Sequence, residues 1–310
     1  MSLATARTVP LVALTLAAAG WGLASCATKY ALGGLGPVTL LTVALVPATI
    51  GLWTWWWLRG PRGTRPPRGR VVVLGLLEPA VAYLAITVGL AHTSAANSVV
   101  VEGLESAFVV VLAALVLGER ITGRLGVALA MGLLGLGALE QVRGVTAPHP
   151  GDLLVLAGVL AAAAYTIVAR GLADDVDPLL LTALQFAVAT AVVLPTAAVR
   201  WSCGAEGLPT HVAPQFWGAA VAVGVVGYAG SFVLYNWAIL RVEARVAAIV
   251  LNSIPAFGLL AAVAWLGEQL SVARGIGAAL ITLSVALFAR AELRPVVPLE
   301  PTTEEVPLCL

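Results

Sequence analysis

Charge is what this sequence has least of. Only 11% of its 310 residues are charged, 60% are hydrophobic, and Lys29 is the only lysine. A soluble domain carries roughly a quarter charged residues, and a chain this apolar has no way to hide its surface from water. With a mean hydropathy of +0.98, its expected solvent is the bilayer. One lysine leaves no room for the phosphate-binding pattern GxxxxGK[ST], so ATP-driven transport would need a partner. HExxH, GxSxG and CxxC are also missing. The three histidines, His92, His149 and His211, fall at or beyond the outer ends of apolar runs. Nucleophile–base pairing and metal ligation are therefore poorly supplied, and no enzyme, metal or cofactor is expected. Cys26, Cys203 and Cys309 show no spacing for a disulfide. A net charge of +1, with basic residues concentrated in one short loop, gives nucleic acid no footing.

What is present is a series of apolar runs. A hydrocarbon core of about 30 Å needs roughly 20 residues of helix. Ten runs qualify, at about 9–30, 37–58, 71–91, 94–117, 121–140, 152–170, 178–199, 214–240, 243–266 and 270–289. Their short connections make neighbours antiparallel. With the N-terminus inside, thirteen lysines and arginines fall on inner segments and four on outer ones. That asymmetry places both termini in the cytoplasm and the chain in the plasma membrane. Trp53, Trp55, Trp56 and Trp57, just before "RGPRGTRPPRGR", read as an aromatic belt at the inner surface. The tail from 290 to 310 is proline-rich and acidic and reads as disordered.

The two halves repeat. "SAFVVVLAALVLGER" from Ser106 aligns with "PAFGLLAAVAWLGEQ" from Pro255 at an offset of 149 residues. Earlier in each half the offset is 141, "GPVTLL" facing "DPLLLT". Each half holds five runs, an odd number, so the second enters from the opposite side. The expected fold is an all-α polytopic membrane protein, ten transmembrane helices as two inverted-topology five-helix repeats. The units are a cytoplasmic N-terminus at 1–8, a first repeat at 9–140, an outer connection at 141–151, a second repeat at 152–289 and the tail.

This order and duplication, with "WGLASCATKYAL" in the first run, "TSAAN" before the fourth and "LGE" closing the fourth and ninth, resembles the EamA-type drug/metabolite transporters. The resemblance implies a ten-helix carrier, often an exporter of amino acids, metabolites or toxic compounds, with a solute site between the halves. Trp21-Gly22, Lys29, Pro255 and Gly267-Glu268 match the family pattern. Ala44 stands where members often have arginine, and Ser106 where they often have proline.

Two acids fall inside the fourth run. On a helix Ser98, Glu102, Glu105 and Ser106 share one stripe. A start near Ser94 puts Glu102 about 12 Å and Glu105 about 16 Å deep. A charge there costs at least ~2.5–3.5 kcal/mol, so the stripe is expected to face a wet interior. Two carboxylates this close do not both ionise easily in low dielectric. Proton coupling, recognition of a cationic or amine-bearing solute, and a protonated structural pair all remain open. Glu78, beside a helix-bending Pro79, is a third candidate. Trp21, Tyr83, Gln185, Tyr235, Trp237 and Asn252 supply the polar and aromatic groups of a small-molecule pocket. Glu119 and Glu268 read as caps opening the helix that follows each.

The sequence thus points to a secondary transporter of a small organic solute, such as an amino acid, amine or drug-like metabolite. Protons are a candidate co-substrate, and the bilayer surrounds a monomer or homodimer. Alternatives are an uncoupled facilitator, a lipid flippase of the same fold, or a membrane-embedded enzyme.

Overall fold

A computed structural model describes residues 3–90, 92, 101–102, 104–139, 150–172, 175–267 and 270–292. Ser98, Glu268 and the tail from 293 lie outside them. Among the described residues every regular element is a helix: α1 Leu3–Ala31, α2 Pro37–Arg59, α3 Arg68–Gly75, α4 Ala82–Leu90, α5 Glu105–Leu117, α6 Gly123–Leu139, α7 Pro150–Arg170, α8 Pro178–Ser202, α9 Pro214–Ala222, α10 Ser231–Ile239, α11 Ala244–Leu251, α12 Ile254–Leu266 and α13 Val272–Glu292. Seven spans are long and apolar enough to cross a membrane, and α5, α6 and α13 are shorter apolar helices.

The starts are dictated locally. Pro37, Pro178 and Pro214 occupy first-turn positions, where a missing N–H costs nothing. Asp177 caps α8 through Leu179 N at 3.0 Å and Leu180 N at 3.4 Å.

A bend was expected only at Pro79, and four spans are interrupted. Residues Leu76–Val81 join α3 to α4 through widened i→i+5 turns, with Glu78 in extended geometry at φ −149°, ψ 131°. Residues Val223–Gly230 join α9 to α10 in the same π-helical form. A turn at Asn252 and Ser253 separates α11 from α12. The fourth run has a turn at Leu104, so Glu105 opens α5 instead of sitting mid-helix.

Helix α1 packs on α10 and α12, α2 on α8, α4 on α7, and α6 on α13. The interior is a cluster around Leu14, Leu45, Leu74, Phe186, Phe232 and Ile239. Glycines let backbones approach one another closely. A Cβ on Gly22 would lie 2.6 Å from Ile254 O, and one on Gly224 would lie 1.9 Å from Ala44 O. Large apolar side chains instead cover the exterior, among them Leu115, Val272 and Trp57. Only hydrocarbon suits such a surface.

Carboxylates tie distant elements together at both ends. At the end carrying the arginine loop, Asp177 accepts from Arg59 Nη2 at 2.5 and 2.7 Å. Thr64 pairs with Asp175 and Asp177 through the backbone. Glu119 corrects the sequence expectation. It caps α11, accepting from Ala244 N at 2.7 Å and Arg245 N at 3.0 Å, not the helix that follows it. A chain neighbour was the obvious partner from sequence, but the fold delivers a nearer helix terminus from the other half.

At the opposite end Glu206 caps α2. It accepts from Val38 N and Thr39 N, both at 3.0 Å, from Thr39 Oγ1 at 2.9 Å and from Arg200 Nε at 3.2 Å. Glu206→Ala removes this charged cap and leaves two buried N–H groups unmet. A loss of about 2–3 kcal/mol is expected, read as a fall in thermal unfolding midpoint in detergent; Glu206→Gln should lose less.

Candidate functional site

The interrupted spans converge on one group of polar and aromatic side chains. Glu78 comes from the break between α3 and α4, Glu105 from the first turn of α5, and Tyr228 from the break between α9 and α10. Glu78 and Glu105 interact electrostatically, as do Glu105 and Glu102. Both Glu78 and Glu105 act on Tyr83 and Tyr235. Glu78, Tyr83 and Glu105 are each half-buried.

A wall of rings lines the same region. Tyr83 and Tyr228 have centroids 5.0 Å apart. Trp21 meets Phe232 edge-on at 5.2 Å and Tyr235 at 5.5 Å. Tyr165 stacks on Tyr235 at 6.0 Å. Behind the rings runs a buried hydrogen-bond network. Tyr165 OH donates to Asn236 Oδ1 at 2.7 Å, and Asn236 Nδ2 donates to Thr182 Oγ1 and Gln185 Oε1, both at 2.9 Å. Thr166 and Tyr235 share a 2.8 Å bond between hydroxyls. Among the described residues, Trp21 Nε1, Gln185 Nε2 and Asn252 Nδ2 are buried without a partner. Unmet buried donors are rare, and each is a position that a bound group can satisfy.

Asn236 is the hub of that network. Asn236→Leu would remove a buried partner from Tyr165, Thr182 and Gln185 at once, leaving Tyr165 OH only its 3.4 Å bond to Gln185. A loss of about 2–4 kcal/mol is expected, seen as a lower detergent unfolding midpoint. Asn236→Gln should not rescue it, because the longer amide does not fit.

Of the residues singled out in the sequence, the structure brings together Glu78, Glu105, Trp21, Tyr83, Gln185 and Tyr235. Glu102 stands beside Glu105 but is exposed. Asn252 accepts a hydrogen bond from Ser106, which links the break before α12 to α5. Trp237 points elsewhere. Its ring lies under the Arg241 guanidinium, 4.5 Å from the centroid, and it sits two residues from Tyr235, on the other side of α10. Tyr165, Tyr228, Phe232 and Asn236 are not among the residues singled out above. A signal existed. Residues 228, 232, 235 and 236 follow the i, i+4, i+7, i+8 stripe of one helix face.

Interrupted helices that bring acids, rings and unmet donors together are common in secondary transporters. The family model of the EamA-like transporter family matches residues 9–139 and again 149–290. The chain belongs to the EamA-like transporter family. Its membership covers both halves, and the protein is a multi-pass membrane transporter of a small molecule. Similar proteins include a transporter of Archaeoglobus fulgidus, described as uncharacterized, 26% identical over 284 residues, covering 90% of this chain and 98% of that one. Another is described as a probable terminal-alkyne amino-acid exporter of Streptantibioticus cattleyicolor, 26% identical over 291 residues, covering 91% of this chain and 93% of that one. A solved crystal structure, 22% identical, superposes with a TM-score of 0.78 over 94% of this EamA-like chain and 99% of its own. That likeness speaks for the fold. The family and the relatives' names describe transport, not catalysis.

Proposed function

We propose that this EamA-like protein is a secondary carrier that exports a small organic solute by alternating access. Its two five-helix halves, 9–140 and 152–289, are read as inverted repeats, rocking about the crevice that holds Glu78, Glu105, Trp21, Tyr83, Tyr228 and Tyr235. The seven long spans and three shorter apolar helices make up its ten crossings, with both termini in the cytoplasm. The observation that carries the reading is the meeting of three interrupted spans at the acid–aromatic group, which is read as the solute crevice. Broken helices expose backbone at mid-depth only where they line a cavity.

The breaks also recur in register. Helix α5 and helix α12 each have 13 residues, start 149 residues apart, and end on Gly118 and Gly267 at φ 69° and 67°. The separate family match in each half supports the same repeat. The rings and acids suit an amine-bearing solute, and the exporter from Streptantibioticus cattleyicolor makes an amino acid the first to try. A second use of the acids is proton coupling, since a carboxylate that gives up its proton when the solute binds and takes one back when the solute leaves exchanges one for the other. Glu102 belongs to this reading as an entrance group. Ser98 stays a candidate outside the described residues.

Counterflow in proteoliposomes across a panel of amino acids, amines and drugs, with and without a pH gradient, tests the proposal. Accumulation of a chemically unchanged labelled solute is expected. An altered product would point to an enzyme. Lipid scrambling without solute counterflow would point to a flippase.

A further inference from the structure

A cavity lies at the arginine-loop end, away from the acid–aromatic group. It is an open cleft of ≈ 510 Å³ whose walls include Leu117, Glu119, Arg120, Arg170, Glu243 and Arg245. Its carboxylates already have partners. Glu119 accepts from two backbone N–H groups of α11, and Glu243 pairs with Arg245. Arg120 and Arg170 have no carboxylate partner among the described residues. Arg170 reaches Leu240 O at 3.4 Å, and Arg120 is exposed. Two guanidinium groups, Arg120 from the loop after α5 and Arg170 from the last turn of α7, therefore line one cleft in which three arginines stand against two glutamates. Each offers the planar fork that matches phosphate oxygens.

What lies beside the cleft decides the kind of phosphate. Leu115 and Val116, one turn back along α5, are 78% and 63% exposed, and Ile121 is 58% exposed. Positive charge directly above bare alkyl surface matches a phospholipid, whose head is anionic and whose tails are apolar. Basic pockets between helices at this level hold such headgroups.

We propose that the cleft binds the phosphate of an anionic membrane lipid, with its acyl chains along Leu115, Val116 and Ile121. The headgroup bridges Arg120 of one half to Arg170 and Arg245 of the other, next to the Glu119 cap. The inference rests on the bilayer reading above, and the proposed orientation decides only that the inner leaflet supplies the lipid.

Native mass spectrometry of the purified full chain tests it, after incubation with equal amounts of phosphatidylglycerol and phosphatidylcholine. A parallel arm adds excess inorganic phosphate. Preferential retention of phosphatidylglycerol, undisturbed by inorganic phosphate, is expected. Arg120→Gln with Arg170→Gln should weaken retention roughly 25-fold, at about fivefold per arginine. Arg62→Gln with Arg65→Gln removes the same charge from the exposed loop and should leave retention intact. Equal retention of both lipids, or equal loss in the loop variant, would overturn the site. Displacement by inorganic phosphate would overturn the lipid assignment. Counterflow reads a different property, so failure of lipid retention beside intact counterflow sinks this inference and leaves the carrier reading standing.

Discussion

Glu105→Gln is expected to lower solute flux about 100-fold while raising thermal stability. Holding a charge at this depth costs ~2.5–3.5 kcal/mol even on permissive scales. Glutamine has the same shape without that cost, so the fold should tolerate or prefer it. If a solute ammonium or a proton offsets the charge during transport, removing the carboxylate forfeits an interaction of similar size. At 1.4 kcal/mol per factor of ten, that is about two orders of magnitude. Glu78→Gln should move both readouts in the same direction, because Glu78 and Glu105 act on one another and on the same tyrosines. Glu102→Gln should do less, since Glu102 is exposed. Flux assays beside detergent melting curves check all three. A purely structural pair would leave flux unchanged in every variant. Wild-type pH dependence in Glu105→Gln would remove proton coupling and leave solute recognition.

The second large effect is steric. Gly224→Ala is expected to abolish stable expression, a loss above about 4 kcal/mol. The new Cβ would lie 1.9 Å from Ala44 O, 2.5 Å from Ala44 C and 2.7 Å from Ala44 Cα. All three are backbone atoms, so no side chain can rotate away. Helix α2 would have to separate from the π-helical segment that carries Tyr228, opening the wall of the crevice. Gly218 lies six residues earlier, where a Cβ meets nothing within 4 Å. Gly218→Ala should therefore be neutral or gain about 0.5–1 kcal/mol. Expression yield and unfolding midpoint of the two variants make the comparison.

Hydropathy located the seven long spans, because burial in hydrocarbon needs only apolar length. Pro37, Pro178 and Pro214 even marked helix starts to the residue. The interruptions were harder to read. Val223–Gly230 is as apolar as its flanks, and a hydropathy run carries no information about hydrogen-bond register. Pro79 announced the break at Glu78, while Pro255, one residue into α12, went unused as a sign of the turn at Asn252 and Ser253. The acids were found because a carboxylate among valines is conspicuous. Their aromatic partners were found only in part, because Tyr165 comes from a different half and is joined to the site by tertiary packing alone. The caps made by Glu119 and Glu206 were illegible for the same reason: each carboxylate reaches a helix terminus more than a hundred residues away.

The central claim is that the crevice around Glu78, Glu105 and the tyrosines opens to both sides of the membrane in turn. Its most direct measurement is the reactivity of Tyr83→Cys, in a chain whose native cysteines are replaced by serine, in sealed vesicles of both orientations. A membrane-impermeant thiol reagent should label this position from either face, with protection by a transported solute. Labelling from neither face while counterflow continues would contradict the account.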